Sequence, residues 1–193
     1  MYSITRKVSI RTVTLVRRAQ QDTLRHAQYV ETVMKYQLAQ LNIAKFKLPQ
    51  EDPVNADFVA NLDRVNELAE QQPGFVWRFT GEGNNAMDVD AFDDRNIAVN
   101  MSLWEDLESL AAFVYRNEAH LQIMRRRKEW FEKLDFYLVL WWVEAGQLPG
   151  IEDAKARLQL LTDNGPSVDA FTFRQPYPAP GAGPVDPILD ECA

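Results

Sequence analysis

A histidine and a nearby arginine are the side chains in the middle of the chain that best suit acid–base chemistry. His120 can transfer a proton or bind a metal ion, because an imidazole titrates near neutral pH. Arg116 precedes it by four residues and shares its face if one helix spans both. A guanidinium can hold a carboxylate or an enolate. We therefore predict both residues as catalytic; the alternative is that His120 caps a break between two helices at the surface.

Polar side chains alternate with apolar ones along two predicted strands, residues 38–45 and 97–104. We expect the apolar faces, with Leu41 and Val99, to pack under the helices and the polar faces to point into a closed barrel. Amides beside aromatic rings suit a small-molecule pocket. The predicted substrate-binding residues are Gln40, Asn42, Trp77, Asn100, Ser102, Trp104 and Trp142. The alternative is that the polar groups hydrogen-bond to one another or to a partner sheet.

Three consecutive arginines, Arg125 to Arg127, have the composition of an anion site. A solvated helix face that pairs with acids such as Glu129 explains them better, although Arg127 can point in a different direction from the other two. No metal site is predicted, because the chain has two histidines and one cysteine. The sequence also has no nucleophile triad pattern and no phosphate-binding glycine loop.

The net charge of −7 is unevenly distributed. Residues 1–37 carry seven basic and two acidic side chains, a local charge of +5, so the rest of the chain carries −12. An acidic body argues against nucleic acid as a ligand, because phosphate contacts need clustered Lys and Arg. The longest apolar run, Phe136 to Val143, is too short to span a membrane. Cys192 is the one cysteine, so a disulfide within the chain is impossible and a cytoplasmic location is expected.

The pattern along the chain predicts one domain between two extensions. Residues 1–35 are basic and read as partly helical: either a removable organelle-targeting peptide or an extension outside the core. Residues 36–175 contain the clear strand and helix patterns. Residues 176–193 hold five of the ten prolines and predict a disordered tail.

The strand and helix patterns follow the order β-α-β-β-α-β, which is typical of the ferredoxin-like α+β fold. The strands are expected at residues 38–45, 75–79, 97–104 and 136–143, and the helices after Pro53 and at 105–115, 118–132 and 151–163. Helices on one face of such a sheet leave the other face to be buried, and a second copy of the sheet is the usual solution. We therefore expect a homodimer in the form of a dimeric α/β barrel.

Several stretches of the chain match a known family as a set. They are Leu38 to Ala44, Ala56 to Asn66, Pro73 to Arg78, Asn100 to Leu110 and Leu138 to Val143. Together with His120 and the arginine run, they resemble the DUF3291 family over about residues 36–178. The resemblance implies the dimeric α/β-barrel fold, whose superfamily contains cofactor-free monooxygenases, muconolactone-type isomerases, small cyclases and heme proteins. The family itself is named for having no known function.

These features predict a protein that binds a small molecule, and three functions stay open. The first is a cofactor-independent monooxygenase or isomerase/cyclase acting on a small apolar oxygenated compound, in which His120 moves a proton and the strand amides orient an enolate or carbonyl. The second is a heme protein with His120 as axial ligand. The third is a non-catalytic module that binds its ligand in the same pocket.

Overall fold

The computed structural model describes residues 35–188, and its centre is a four-stranded antiparallel sheet. The strands are β1 Tyr36–Lys45, β2 Phe75–Arg78, β3 Ile97–Trp104 and β4 Leu138–Glu144. Their order across the sheet is β2-β3-β1-β4. The register pairs Gln40 with Ser102 and Asn42 with Asn100, so polar side chains stand beside one another in the middle of the sheet. The predicted ferredoxin-like arrangement is confirmed.

Four helices accompany the sheet within residues 35–188. They are α1 Ala56–Glu70, α2 Leu107–Arg116, α3 Glu118–Trp130 and α4 Ile151–Asn164, with a short 3₁₀ turn at Pro53–Asn55. Asp106 begins α2 by accepting a hydrogen bond from the backbone N–H of Ser109 at 2.7 Å. In the part of the chain that the structure describes, no helix has the length and apolarity needed to cross a membrane.

Asn117 separates α2 from α3. Its backbone is extended (φ −79°, ψ 111°), and its side chain accepts from the backbone N–H of His120 at 3.2 Å, which makes it the N-cap of α3. The condition for a shared face, one helix that spans both Arg116 and His120, is therefore not met, and the predicted separation into two helices is observed. The two residues lie at the end of one helix and the start of the next.

The two faces of the sheet are covered differently. Helices α1, α2 and α3 pack on the face that carries Gln40 and Ser102, which we call the cavity face. Helix α4 packs on the opposite face, which we call the α4 face. The buried strand residues of the α4 face pack against Ala154, Leu158 and Leu161 of α4. They are Ala39, Leu41, Ile43, Val99, Met101, Leu103, Val139 and Trp141.

Two expectations about these faces need correction. The polar face was expected to point away from the helices, but it lies beneath α1–α3, and the face with Leu41 and Val99 lies beneath α4. Helices therefore occupy both faces of the sheet. The polar face, which was expected to meet a second copy of the sheet, is covered by α1–α3 within the described residues, and α4 covers the other face.

The segment after α4 packs against the domain. Phe171 exchanges two backbone hydrogen bonds of 2.9 Å with Leu140 of β4. Trp142 Nε1 donates to the carbonyl of Tyr177 at 2.9 Å, and the N–H of Ile188 donates to the carbonyl of Phe173 at 2.8 Å. The predicted disordered tail is therefore wrong for residues 176–188, which continue the packed unit. The predicted basic extension lies, apart from Lys35, outside the described residues.

Candidate functional site

A cavity of about 220 Å³ lies between the cavity face of the sheet and helices α1–α3. Phe58, Leu62 and Val65 line it from α1, and Leu110 and Phe113 line it from α2. Its floor is the polar stripe of β1 and β3. Apolar walls with a few fixed polar groups are typical of a site that binds and orients a small molecule.

The polar floor is a connected hydrogen-bond network. Gln40 Nε2 donates to Asn100 Oδ1 at 2.7 Å and to Ser102 Oγ at 3.0 Å. Trp104 Nε1 also donates to Ser102 Oγ, at 2.9 Å. Ser102 Oγ thus accepts two hydrogen bonds, and its own proton is left to donate. Both predicted roles therefore apply to these residues: they hydrogen-bond to one another, and they also line the cavity.

His120 lines the cavity from the first turn of α3. Its Nδ1 lies 3.0 Å from the carbonyl oxygen of Val114, which can only accept, so Nδ1 carries the proton. Phe113 packs on the ring with centroids 5.0 Å apart. Burial lowers the pKa of His120 below its usual value, and the bond to Val114 opposes this in part. The lowered pKa favours the neutral form of the ring, in which Nε2 is the unprotonated nitrogen that can act as a base.

The predicted site residues divide into two groups. Those that line the cavity are Gln40, Asn42, Asn100, Ser102, Trp104 and His120. Arg116, Trp77 and Trp142 lie elsewhere. Arg116 is exposed at the end of α2. Trp77 packs with the core of the α4 face, and Trp142 packs near Phe171 with its indole bound to Tyr177. Strand register and packing decide the placement of the two tryptophans and could not be read from residue type, whereas the break beside Arg116 lies between two helices that the sequence predicted.

Arg127 is a cavity residue that was not among the predicted site residues. Arg125 pairs with Glu118 at 2.9 Å, and Arg126 pairs with Glu129 at 2.8 Å. Arg127 instead lines the cavity, with its guanidinium 4.8 Å from the centre of the Tyr137 ring. The expectation that Arg127 points differently from its neighbours is confirmed. Its spacing of seven residues from His120 was the signal that could have found it, since two helical turns return to one face.

The loop after β2 closes one side of the cavity. Arg78 Nε lies 2.6 Å from Glu70 Oε1, and its other nitrogens donate to Asn84 at 2.6 and 2.8 Å. These bonds hold the segment that brings Met87 to the cavity wall. A Cβ at Gly81 would overlap the Asp88 carboxyl, so a larger residue at this position requires the Asp88 side chain to move.

Among residues 35–188, no group of three or more His, Cys, Asp or Glu side chains is arranged to hold a metal ion. The sheet order and the lined cavity define a ferredoxin-like α+β protein with a small-molecule-sized space between its sheet and its helices. Residues 37–186 match the model of the family described as Domain of unknown function (DUF3291). The chain belongs to this family, and the resemblance found in the sequence is confirmed.

Three solved structures are similar to the chain at low identity. A protein of unknown function from Nitrosomonas europaea is 18% identical, covers 61% of this chain and 97% of its own, and gives a TM-score of 0.39. A conserved protein from Methanosarcina mazei Go1 is 14% identical, with 60% and 96% covered and a TM-score of 0.37. A protein from Chloroflexus aurantiacus J-10-fl, named as a candidate antibiotic biosynthesis monooxygenase, is 13% identical, with 60% and 98% covered and a TM-score of 0.37. No curated protein matches the chain.

Proposed function

We propose that the protein binds a small, largely apolar carbonyl compound in the cavity and removes a proton from it with His120 Nε2. The observation that supports this most directly is the state of His120. The Val114 carbonyl holds the proton on Nδ1, and burial lowers the pKa of the ring, so Nε2 is the basic nitrogen of a residue that lines the cavity. A base that is unprotonated at neutral pH needs no further activation.

The polar floor offers hydrogen-bond donors for the anion that forms when the proton is removed. Loss of a proton beside a carbonyl places negative charge on the carbonyl oxygen, and fixed donors stabilise it. Ser102 offers its hydroxyl proton, and Asn100 offers its amide nitrogen, since its oxygen already accepts from Gln40. The protonated His120 can then return the proton to another atom, which is isomerisation. Alternatively, the enolate can react with O₂, which is cofactor-independent oxygenation.

Proton abstraction can be tested before the natural substrate is known. Small aryl ketones and β-diketones would be incubated with the full chain in D₂O, and exchange of their acidic C–H followed by NMR. The informative variant is His120→Asn, because Asn keeps a donor for the Val114 carbonyl and lacks the second nitrogen. Arg125→Ala, on the outer side of the same helix, is the matched control.

We expect exchange to be at least about 100-fold slower in His120→Asn than in the wild type, and unchanged in Arg125→Ala. Equal exchange in the wild type and His120→Asn would contradict the proposal. Saturable binding without exchange, insensitive to His120→Asn, would instead support a non-catalytic binding module.

A second candidate is heme ligation by His120. A hydrogen bond from Nδ1 to a backbone carbonyl is the support that metal-binding histidines commonly have, and it presents Nε2 to the cavity. Adding one equivalent of hemin should then give a sharp Soret band that shifts or disappears in His120→Ala. The same spectrum in both proteins would rule His120 out as the ligand.

A further inference from the structure

The charge of the cavity is opposite to that of the chain. The whole sequence carries −7. Among the described residues, no Asp or Glu lines the cavity, and the side chains there that carry a full charge are Arg78 and Arg127. The remaining polar lining is mainly amides, which offer N–H donors. An apolar space with cations and donors, inside an acidic protein, selects for an anion over a cation or a neutral molecule.

The two cavity arginines have different roles. Arg78 is neutralised by Glu70 at 2.6 Å and ties down the loop at Asn84, so its donors are used. Arg127 has no acidic partner among the described residues. Its guanidinium carbon lies over the Tyr137 ring, 4.8 Å from the ring centre, and this contact is with an aromatic ring rather than with an acid. The N–H donors lie in the guanidinium plane, so a bidentate carboxylate can still bind at its edge.

Helix α3 presents a base and a cation on one face. His120 and Arg127 are seven residues apart and both line the cavity, with Ile123 and Met124 between them. Seven residues of helix correspond to a rise of about 10 Å. The order along this face is therefore base, apolar centre, cation. A ligand that contacts all three has an anionic group at one end and its reactive carbon at the other.

We propose that the ligand of this cavity is an elongated, apolar monocarboxylate whose carboxylate binds Arg127 and whose acidic C–H lies at His120. The assignment rests on the proposed function and adds the substrate class to it. The proposal assigns to Arg127 the role of binding a carboxylate, which the sequence analysis gave to Arg116.

The experiment compares acids with their neutral analogues on the full chain. Phenylacetate, 4-phenylbutyrate and 6-phenylhexanoate would each be titrated by calorimetry beside the corresponding primary amide. The acid and the amide have nearly the same shape, so the ratio of their affinities reports the charge. We expect the acid to bind about tenfold or more tightly than its amide. Among the acids, we expect the longer chains to bind best, because they span the distance from Arg127 to His120.

Neighbouring arginines on one helix provide the matched variants. Arg127→Met should abolish the preference for the acid and leave amide binding unchanged. Arg127→Lys should keep part of it, because an ammonium retains the charge without the planar fork. Arg125→Met should behave as wild type. Circular dichroism of each variant checks that it folds, and the wild-type comparison is decisive without any variant.

Equal affinity of acids and amides for the wild type, with shifts of the His120 ring protons by NMR, would overturn this inference and leave the proposed function standing. A preference for acids that persists in Arg127→Met would also overturn it. Failure of all acids and all amides to bind would overturn the inference and the proposed function together.

Discussion

The two faces of the central sheet come from the same strands, yet they are packed differently, and the described cavity lies on one of them. On the α4 face, side chains such as Leu41 and Val139 are fully buried in a core to which α4 and residues such as Ala91 contribute. The buried Trp141 Nε1 there has no hydrogen-bond partner among the described residues. On the cavity face, polar groups are paired in a network, and Asn100 remains exposed although it lies in mid-strand.

The difference shows how the fold separates stability from binding. Apolar side chains of α4 and of the loop at Ala91 fit closely on the α4 face. Three helices meet over the cavity face, where a close apolar cover would leave the remaining donors of the floor, such as the Ser102 hydroxyl, without a partner. The α4 face should therefore be sensitive to truncation, and the cavity face should be sensitive to changes of function.

The largest effect is expected for function on the cavity face. His120→Asn should reduce the rate of proton exchange by about 10²–10⁴-fold, since this is the usual contribution of a general base. The variant keeps a donor for Val114, so its unfolding midpoint should stay close to that of the wild type. A comparable loss of rate in a variant of the α4 face that remains folded would remove the distinction between the two faces.

The next effect compares two leucines that face the sheet from opposite sides. Leu161→Ala on α4 removes a fully buried side chain and should lower the free energy of unfolding by about 2–5 kcal/mol. Leu62→Ala on α1 borders the existing cavity, is half-buried, and should cost about 1 kcal/mol. Urea denaturation measures both. Equal costs would mean that the two faces are packed alike.

A smaller effect is expected from the polar network. Ser102→Ala removes the acceptor shared by Gln40 and Trp104, two donors on a buried floor, and should cost about 1 kcal/mol of unfolding free energy. Gln40 keeps its bond to Asn100, which limits the loss. Ser109→Ala, near the start of α2 and outside the cavity lining, is a control for the loss of a serine hydroxyl. No change in Ser102→Ala would show that solvent in the cavity replaces the lost acceptor.

The pH dependence of stability should reveal the burial of His120. Its pKa is lowered in the folded protein, so below the ordinary value of 6.5 the unfolded chain binds more protons than the folded one. The free energy of unfolding should therefore rise with pH through this window and reach its full value above it. The difference between wild type and His120→Asn, measured by denaturation, isolates this slope. A wild type whose stability falls with rising pH in this range would contradict it.

Pairing with a second copy should have the smallest effect on the two faces, because α1–α3 already cover the polar face that was expected to meet a second copy, and α4 covers the other. The homodimer stays a prediction. Light scattering should give twice the chain mass of 22.2 kDa if it forms. The mass of a single chain at micromolar concentration would contradict it.

The sequence by itself determined the elements and their order. Alternation with a period of two identified β1 and β3, and helical spacing identified α1 to α4 of the described residues within a few residues of their ends. These patterns depend on local geometry and can therefore be recognised without knowledge of the rest of the chain. The same local reasoning placed Gln40, Asn100 and Ser102 on one face, because a strand alternates its side chains strictly.

Only the tertiary structure decided which helices cover which face. Alternation shows that a strand has two faces but does not say what packs on each, and this reversed the assignment of the polar stripe. The break at Asn117 moved Arg116 away from His120, and two helical turns brought Arg127 to the cavity instead. The packing of residues 176–188 likewise depends on distant partners such as Trp142. Long-range packing sets each of these contacts, and composition and periodicity carry no information about it.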